Sequence, residues 1–186
     1  MGFRASWIAQ RRCEEQAMLE ATGFHLDGRR YDMADIGLYL LSLSPNAARD
    51  APWTLVFALG SEHYECLHDG MATKLSRRGE PAYHFWCTDT AMVTELTCYT
   101  DGRPAWSVAI SPDHDSRSGV AGTPPGWVRA ILDERELQQT EADLAKERVD
   151  HLYDATADIG YALMGFRHDH DPVTDHPEPF QLLRAY

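Results

Sequence analysis

Histidine and cysteine residues lie close together in two short segments that could hold a zinc ion. The first segment contains His63, Cys66 and His68, and the second contains His84 and Cys87. Thiolate and imidazole are ligands that zinc prefers in proteins. Residues three apart on a strand point to opposite faces, however, and chelation at this spacing needs a tight turn. Because the second segment is predicted to be a strand, packed cysteines and partly exposed histidines are the favoured interpretation.

The last twenty residues are rich in histidine and aspartate, which could gather around a divalent cation. The candidate ligands are His168, Asp169 and His170, followed by Asp171 and His176. Ordering flexible ligands costs conformational entropy, so a solvated tail is favoured over a metal site. We therefore predict no metal and no other cofactor, and we keep a metal-assisted hydrolase as the alternative.

Other patterns of catalytic residues are weak in this sequence. Residues 113–119 begin like a calcium loop, but Arg117 stands at a ligand position and no glutamate closes the loop. There is no GxSxG turn for a nucleophilic serine and no glycine-rich phosphate loop. The sequence leaves open a cysteine that meets a distant histidine in the fold, with Cys66 as the best candidate. It identifies no catalytic residue and favours a protein that is not an enzyme.

The charge of the chain favours a basic protein partner. The 186 residues have a formal net charge of −12, and residues 130–186 contain 13 Asp or Glu against five Lys or Arg. Such a surface repels phosphate backbones and anionic lipid headgroups, so neither nucleic acid nor a membrane surface is expected as a partner. The alternative interpretation is that the charge serves only solubility.

The cysteines and the N-terminal residues indicate the compartment. Four cysteines occur without a CxxC pair, and the N-terminal residues lack the apolar core of a signal peptide. No later run reaches the length of a membrane span. We expect reduced thiols and a cytoplasmic protein, and the sequence leaves its oligomeric state open.

Apolar and alternating runs predict the elements that position these residues. The predicted strands cover residues 3–10, 36–45, 53–60, 82–90, 92–100 and 103–111. A short helix ends at Gly23, a turn falls at Asp27 and Gly28, and the Asp101–Gly102 pair indicates a hairpin. Residues 111–126 are predicted to be a loop without regular structure.

The last third of the chain is predicted to be helical. Residues 125–166 show helical spacing with a break near Gln138, a fresh start at Thr140, and Asp154 as the N-cap of the last helix. The segment 167–186 is predicted to be an irregular tail. The fold class is therefore α+β, with one domain over residues 1–166 in which helices pack on one face of a mixed or largely antiparallel sheet.

Two features favour a binding surface over a catalytic centre. Aromatic residues are frequent on the three successive predicted strands between residues 82 and 111, which we call the meander. One face of the meander must belong to the core, and the other is exposed unless the C-terminal helix covers it. The acidic helical third could lie beside that face and attract a cationic partner. The candidate partner-binding residues are Trp86, Tyr99, Glu134, Glu141, Asp143, Asp150 and Asp154.

Four segments carry a resemblance to a known family. They are SWIAQ at 6–10, PAWSVAIS at 104–111, VDHLYD at 149–154 and IGYALMGFRHDH at 159–170. Together they resemble a family of uncharacterised bacterial proteins with a Ser-Trp strand, a Trp-Ser-Val strand and a last helix that runs into Gly-Phe-Arg-His-Asp. The resemblance covers most of the chain and implies a shared role for Arg167, His168 and Asp169, of which capping the last helix is the simplest.

Size, charge and the absence of catalytic motifs define the expected function. Small acidic α+β proteins of this kind are often immunity partners of bacterial toxins. We expect an immunity protein that binds a basic toxin domain and blocks its active site. The alternatives are a metal-assisted hydrolase that uses the C-terminal His and Asp residues, and a ligand-sensing accessory domain, which would contain a well-formed apolar pocket.

Overall fold

The structure, a computed structural model, describes residues 4–45, 50–112, 118–172 and 174–185. Within these residues, nine strands and four α-helices are present, with a 3-10 helix at Tyr64–Cys66. The strands are β1 (Arg4–Arg11), β2 (Phe24–Tyr31), β3 (Gly37–Leu43), β4 (Trp53–Leu59), β5 (Ala82–Thr88), β6 (Val93–Thr100), β7 (Arg103–Ile110), β8 (Ser118–Gly122) and β9 (Phe180–Ala185). The helices are α1 (Glu15–Thr22), α2 (Asp69–Ser76), α3 (Gly126–Ala145) and α4 (Ala155–Met164).

All nine described strands belong to one sheet with the order β2-β9-β3-β4-β1-β5-β6-β7-β8. Every neighbouring pair is antiparallel. The first strand of the chain lies at the centre, and its residues from Ala5 to Gln10 are all buried. The chain has the predicted α+β class, and the sheet is antiparallel throughout its described strands.

Helical layers cover both faces of the sheet. Successive side chains of a strand point to opposite faces, so Trp7 and Ile8 of β1 enter different cores. The core that contains Trp7 packs against α3 and α4, while the core that contains Ile8 packs against α1 and α2. The prediction of helices on one face is therefore wrong. Apolar runs reveal that strands are buried on two sides, but they do not reveal which helix covers which side.

The end of the chain is a strand, and the predicted irregular tail is wrong for residues 180–185. Strand β9 inserts between β2 and β3, and its Phe180 and Leu183 enter the two different cores. The predicted boundary at residue 166 consequently separates residues that share one sheet. Nearby prolines obscured the strand pattern in the sequence. The strands that pair with β9 also lie more than a hundred residues earlier in the chain, so no local pattern indicated the pairing.

Two predicted irregular segments form edge strands. Asp27 and Gly28 lie in a bulge within β2 and make no chain reversal, and Gly28 has a φ of 90° there. Strand β8 lies in the predicted loop and pairs along its whole length with β7. Gly122 ends β8 with a φ of 69°, where a Cβ atom would lie 2.1 Å from the Ala105 carbonyl oxygen. Gly122, which suggested a loop, is thus required where β8 ends against β7.

Helix α3 continues through the predicted break at Gln138. The adjacent Gln139 is buried, and its side-chain amide donates to the Val149 carbonyl at 3.2 Å and accepts from the His151 backbone N–H at 2.7 Å. A polar residue at an inward position thus pairs with the chain that follows the helix. Thr140 starts no new helix, since its hydroxyl donates to the Glu136 carbonyl one turn earlier.

Other local predictions are confirmed. Asp101 and Gly102 connect β6 to β7. Gly23 ends α1 in the left-handed region with a φ of 77°, and its N–H donates to the Leu19 carbonyl. These features depend on a few adjacent residues, which is why the sequence pattern predicts them.

Candidate functional site

Arg167 is the centre of an ion-pair cluster that fixes the segment after α4. Its guanidinium donates to Asp169 Oδ1 at 2.8 Å and to Asp154 Oδ1 at 3.0 Å, and it also contacts Asp158. Arg135 of α3 binds the same Asp158. Burial opposes the charge of Arg167, but the hydrogen bond to Asp169 and the nearby carboxylates raise its pKa above the ordinary value. Asp154 stands at the predicted N-cap position of α4, but its side chain makes no cap bond and binds the arginine instead.

The three weak metal candidates point to different partners. His168 stacks on Phe85 with ring centroids 5.8 Å apart, and burial lowers its pKa. Asp169 belongs to the ion-pair cluster, and His170 meets the edge of Tyr161. In the described part of the chain, no three His, Cys, Asp or Glu side chains are arranged to hold a metal ion. The structure thus does not gather these three residues into one set of metal ligands.

His84 and Cys87 face opposite sides of the sheet, as the strand spacing predicts. Cys87 lies in the core beneath α3 and α4, where burial raises the pKa of its thiol to about 11. His84 lies on the α1 and α2 side, where its Nδ1 is 2.7 Å from Asp69 Oδ1. Cys66, the candidate nucleophile, packs against the α1 and α2 core with its Sγ 3.9 Å from the Glu62 carbonyl oxygen.

Ser6, His84 and Asp69 form a hydrogen-bonded chain with the order of a hydrolase triad. Ser6 Oγ is 3.2 Å from His84 Nε2, and it donates to the Phe85 carbonyl at 2.9 Å. The exposure is the opposite of that in a hydrolase triad, because Ser6 is fully buried whereas the Asp69 side chain is 71% exposed. A substrate could not reach the buried serine hydroxyl, so these three hydrogen-bonded side chains orient the surface carboxylate and lack the geometry for acyl transfer. The sequence gives no sign of this arrangement, since its residues lie on three separate elements.

The outer face of α3 combines exposed apolar and acidic side chains. The helix buries Val128, Leu132, Gln139 and Ala142 toward the sheet. The opposite side, which we call the outer face, consists of Ala130, Asp133, Glu134, Leu137, Glu141 and Leu144. Leu137 is 59% exposed and Leu144 is 80% exposed. No described cation forms an ion pair with a carboxylate of this face.

The structure does not bring the predicted partner-binding residues into one surface. Glu134 and Glu141 lie on the outer face of α3. The other acidic residues are partly used within the fold: Asp143 accepts from Gln139, Asp150 accepts from the Tyr153 N–H and Asp154 binds Arg167. Trp86 and Tyr99 lie on the other side of the sheet, and Tyr99 is buried. The expected meeting of aromatic and acidic residues therefore does not occur.

A pocket between the segment 166–172 and the sheet bears on the ligand-sensing alternative. Its apolar floor consists of Phe57, Phe166 and Phe180, and its volume is about 230 Å³. Pockets that enclose drug-sized ligands have volumes of roughly 300–1,000 Å³. This pocket lies below that range, and the ligand-sensing alternative stays a prediction.

Comparison with protein-family models, curated proteins and solved structures finds no match for this chain. Within the described residues, no helix has both the length and the apolar composition needed to cross a lipid bilayer.

Proposed function

We propose that this protein is a cytoplasmic immunity protein that binds a basic bacterial toxin domain and blocks its active site. The observation that carries this proposal is the outer face of α3, where two exposed leucines lie among carboxylates that have no cationic partner among the described residues.

The leucines supply the affinity in this proposal. Leu137 and Leu144 are seven residues apart, so they lie two turns apart on the same side of the helix. Burying a leucine side chain against a partner contributes roughly 1.5–3 kcal/mol. Two adjacent leucines are therefore enough for a small apolar centre of an interface, with polar residues around it.

The carboxylates select the partner. Asp133, Glu134 and Glu141 flank the leucines and would lie against lysine or arginine side chains. Such charges increase the rate of encounter with a cationic protein and oppose binding of an acidic one. A second copy of this chain would place like charges against each other, so the face favours a basic partner over self-association.

The test is co-expression with the toxin domain encoded by the neighbouring gene. The wild-type protein should restore growth of cells that express this domain, and the double variant Leu137→Lys with Leu144→Lys should not. The double variant Met33→Lys with Ile36→Lys is the matched control. These two exposed apolar residues follow β2, away from α3, and their replacement changes the net charge by the same amount. This control should restore growth as well as the wild type does.

Two outcomes would contradict the proposal. A neighbouring gene product that is harmless without this protein would remove the reason for an immunity function. Equal protection by the wild type and the α3 double variant would show that the outer face of α3 is not the contact.

A further inference from the structure

A second surface lies on the other side of the sheet, beside the start of α2. A cleft of about 300 Å³ opens between the 3-10 helix, the first turn of α2 and strand β5. Carboxylates and aromatic rings line it together: Glu65 and Asp69 contribute the charge, and Tyr64 and Trp86 contribute the rings. This combination of groups has no role in the proposed contact through α3.

The Asp69 carboxylate is held in place by buried polar groups. Its Oδ1 accepts from His84 Nδ1 at 2.7 Å, and the nearby Tyr99 hydroxyl also lowers the pKa of this carboxyl. His84 is 6% exposed and is supported from below by Ser6. The hydrogen bond from His84 lowers the pKa of Asp69, and partial burial opposes this effect. The carboxylate is therefore ionised at neutral pH and oriented, yet most of its surface is open to the cleft.

Trp86 offers a flat apolar surface beside this carboxylate. It is half-buried on β5, two residues from His84 and on the same face of the strand. Within the described residues its ring stacks on no other aromatic ring, and its indole N–H has no hydrogen-bond partner. The Tyr64 ring, in contrast, already has a cation over it, because the Arg4 guanidinium carbon lies 5.2 Å from its centroid.

We propose that this cleft binds a guanidinium group. A planar guanidinium can stack on the Trp86 ring while two of its N–H groups donate to the Asp69 carboxylate. Glu65 supplies a second negative charge at the cleft, and the Arg4–Tyr64 pair shows the same chemistry within the chain. A lysine ammonium lacks the planar shape and the paired donors, so it fits the site less well.

The guanidinium has two sources, a free arginine-like metabolite or an arginine side chain of a protein. Free arginine carries an α-amino and an α-carboxylate group, and the proposed contacts with Trp86 and Asp69 involve neither of them. The test uses free arginine, N-acetyl-arginine amide, and N-acetyl-citrulline amide, a neutral molecule of almost the same shape. Preference for the capped arginine over the free one indicates a side chain of a protein, and the reverse preference indicates a metabolite.

The readout is the indole N–H resonance of Trp86 in NMR spectra of the full chain, assigned with Trp86→Phe. The resonance should move and saturate with at least one of the two arginine probes. Because a hydrogen bond to a charged group is worth more than a neutral one, that probe should bind roughly tenfold more tightly than the citrulline derivative. Equal response to the citrulline derivative, or no response to either arginine probe, would overturn the proposal.

Three variants locate the binding site. Asp69→Asn should weaken binding of the preferred arginine probe about tenfold, and Glu65→Gln about threefold. Glu62→Gln is the matched control, because Glu62 is exposed on the same segment but does not line the cleft, and it should bind as the wild type does. If Asp69→Asn disturbs the fold, the Glu65→Gln variant still tests whether the probe binds in the cleft. Equal weakening by Glu62→Gln would mean that only net charge attracts the probe, and the site would be excluded.

Discussion

The outer face of α3 and the cleft beside Asp69 are both acidic, but they are built differently. The carboxylates of α3 extend from an exposed helix with little support from neighbouring residues. Asp69 is fixed by His84, which Ser6 supports from the buried side. A broad surface with exposed charges suits attraction of a large partner, whereas a carboxylate held by hydrogen bonds suits recognition of one chemical group. The two surfaces therefore share a negative charge but differ in what holds their carboxylates in place.

Removal of His84 should produce the largest loss of stability. His84→Ala leaves a cavity beside β1 and removes the hydrogen bonds to Asp69 and Ser6. We expect a loss of about 2–4 kcal/mol in the free energy of unfolding, measured by urea denaturation. A loss below about 1 kcal/mol would mean that the cleft has no more internal support than α3, and would contradict the comparison.

Replacement of Gln139 tests how much the buried side of α3 contributes to stability, in contrast to its exposed outer face. Gln139→Ala leaves the Val149 carbonyl and the His151 N–H without their partner. The free energy of unfolding should fall by about 1–3 kcal/mol. Gln138→Ala is the control on the same helix, since the Gln138 side chain bonds to Arg135 and Glu134 side chains and to no other side chain among the described residues. It should cost less than about 0.5 kcal/mol.

The contribution of Asp69 should depend on pH. Because its pKa is lower in the folded chain than in the unfolded chain, its hydrogen bonds stabilise the fold fully above the unfolded value near 3.8. The stabilisation disappears as the pH falls through the lower, folded value. The difference in free energy of unfolding between the wild type and Asp69→Asn should therefore be present at about pH 5 and should shrink below about pH 4. A difference that persists at about pH 2 would contradict this assignment.

Changes on the outer face of α3 should have the smallest effect on stability. Leu137→Lys with Leu144→Lys should alter the free energy of unfolding by no more than about 0.5 kcal/mol, because both side chains are exposed. Thermal unfolding followed by circular dichroism measures this directly. A substantial loss would show that the leucines pack within the fold, and any loss of toxin neutralisation would then be ambiguous.

Sequence patterns predicted much of the fold but little of the sites. The meander from β5 to β7, the hairpin at Asp101 and Gly102 and the end of α1 at Gly23 were all predictable, because each depends on neighbouring residues. The acidic character of α3 was also visible. That Leu137 and Leu144 face outward was not predicted, since apolar residues at helical spacing are usually assigned to the core.

The cleft depends wholly on tertiary structure. Asp69 and His84 are 15 residues apart, and Ser6 and His84 are 78 residues apart. Only the pairing of β1 with β5 places Ser6 beside this histidine, and only the packing of α2 on the sheet adds the carboxylate. No spacing rule in the sequence connects three residues on three elements.

The sequence by itself determined the α+β class, most strands, the excess of negative charge and the absence of familiar catalytic motifs. Tertiary structure decided that helices cover both faces of the sheet, that the last residues complete it as β9, and that Trp86 and the acids of α3 lie on opposite sides. The physical reason is the range of the interactions. Backbone preferences and side-chain alternation act over a few residues, whereas strand order and the side taken by each helix follow from burial of apolar surface across the whole chain.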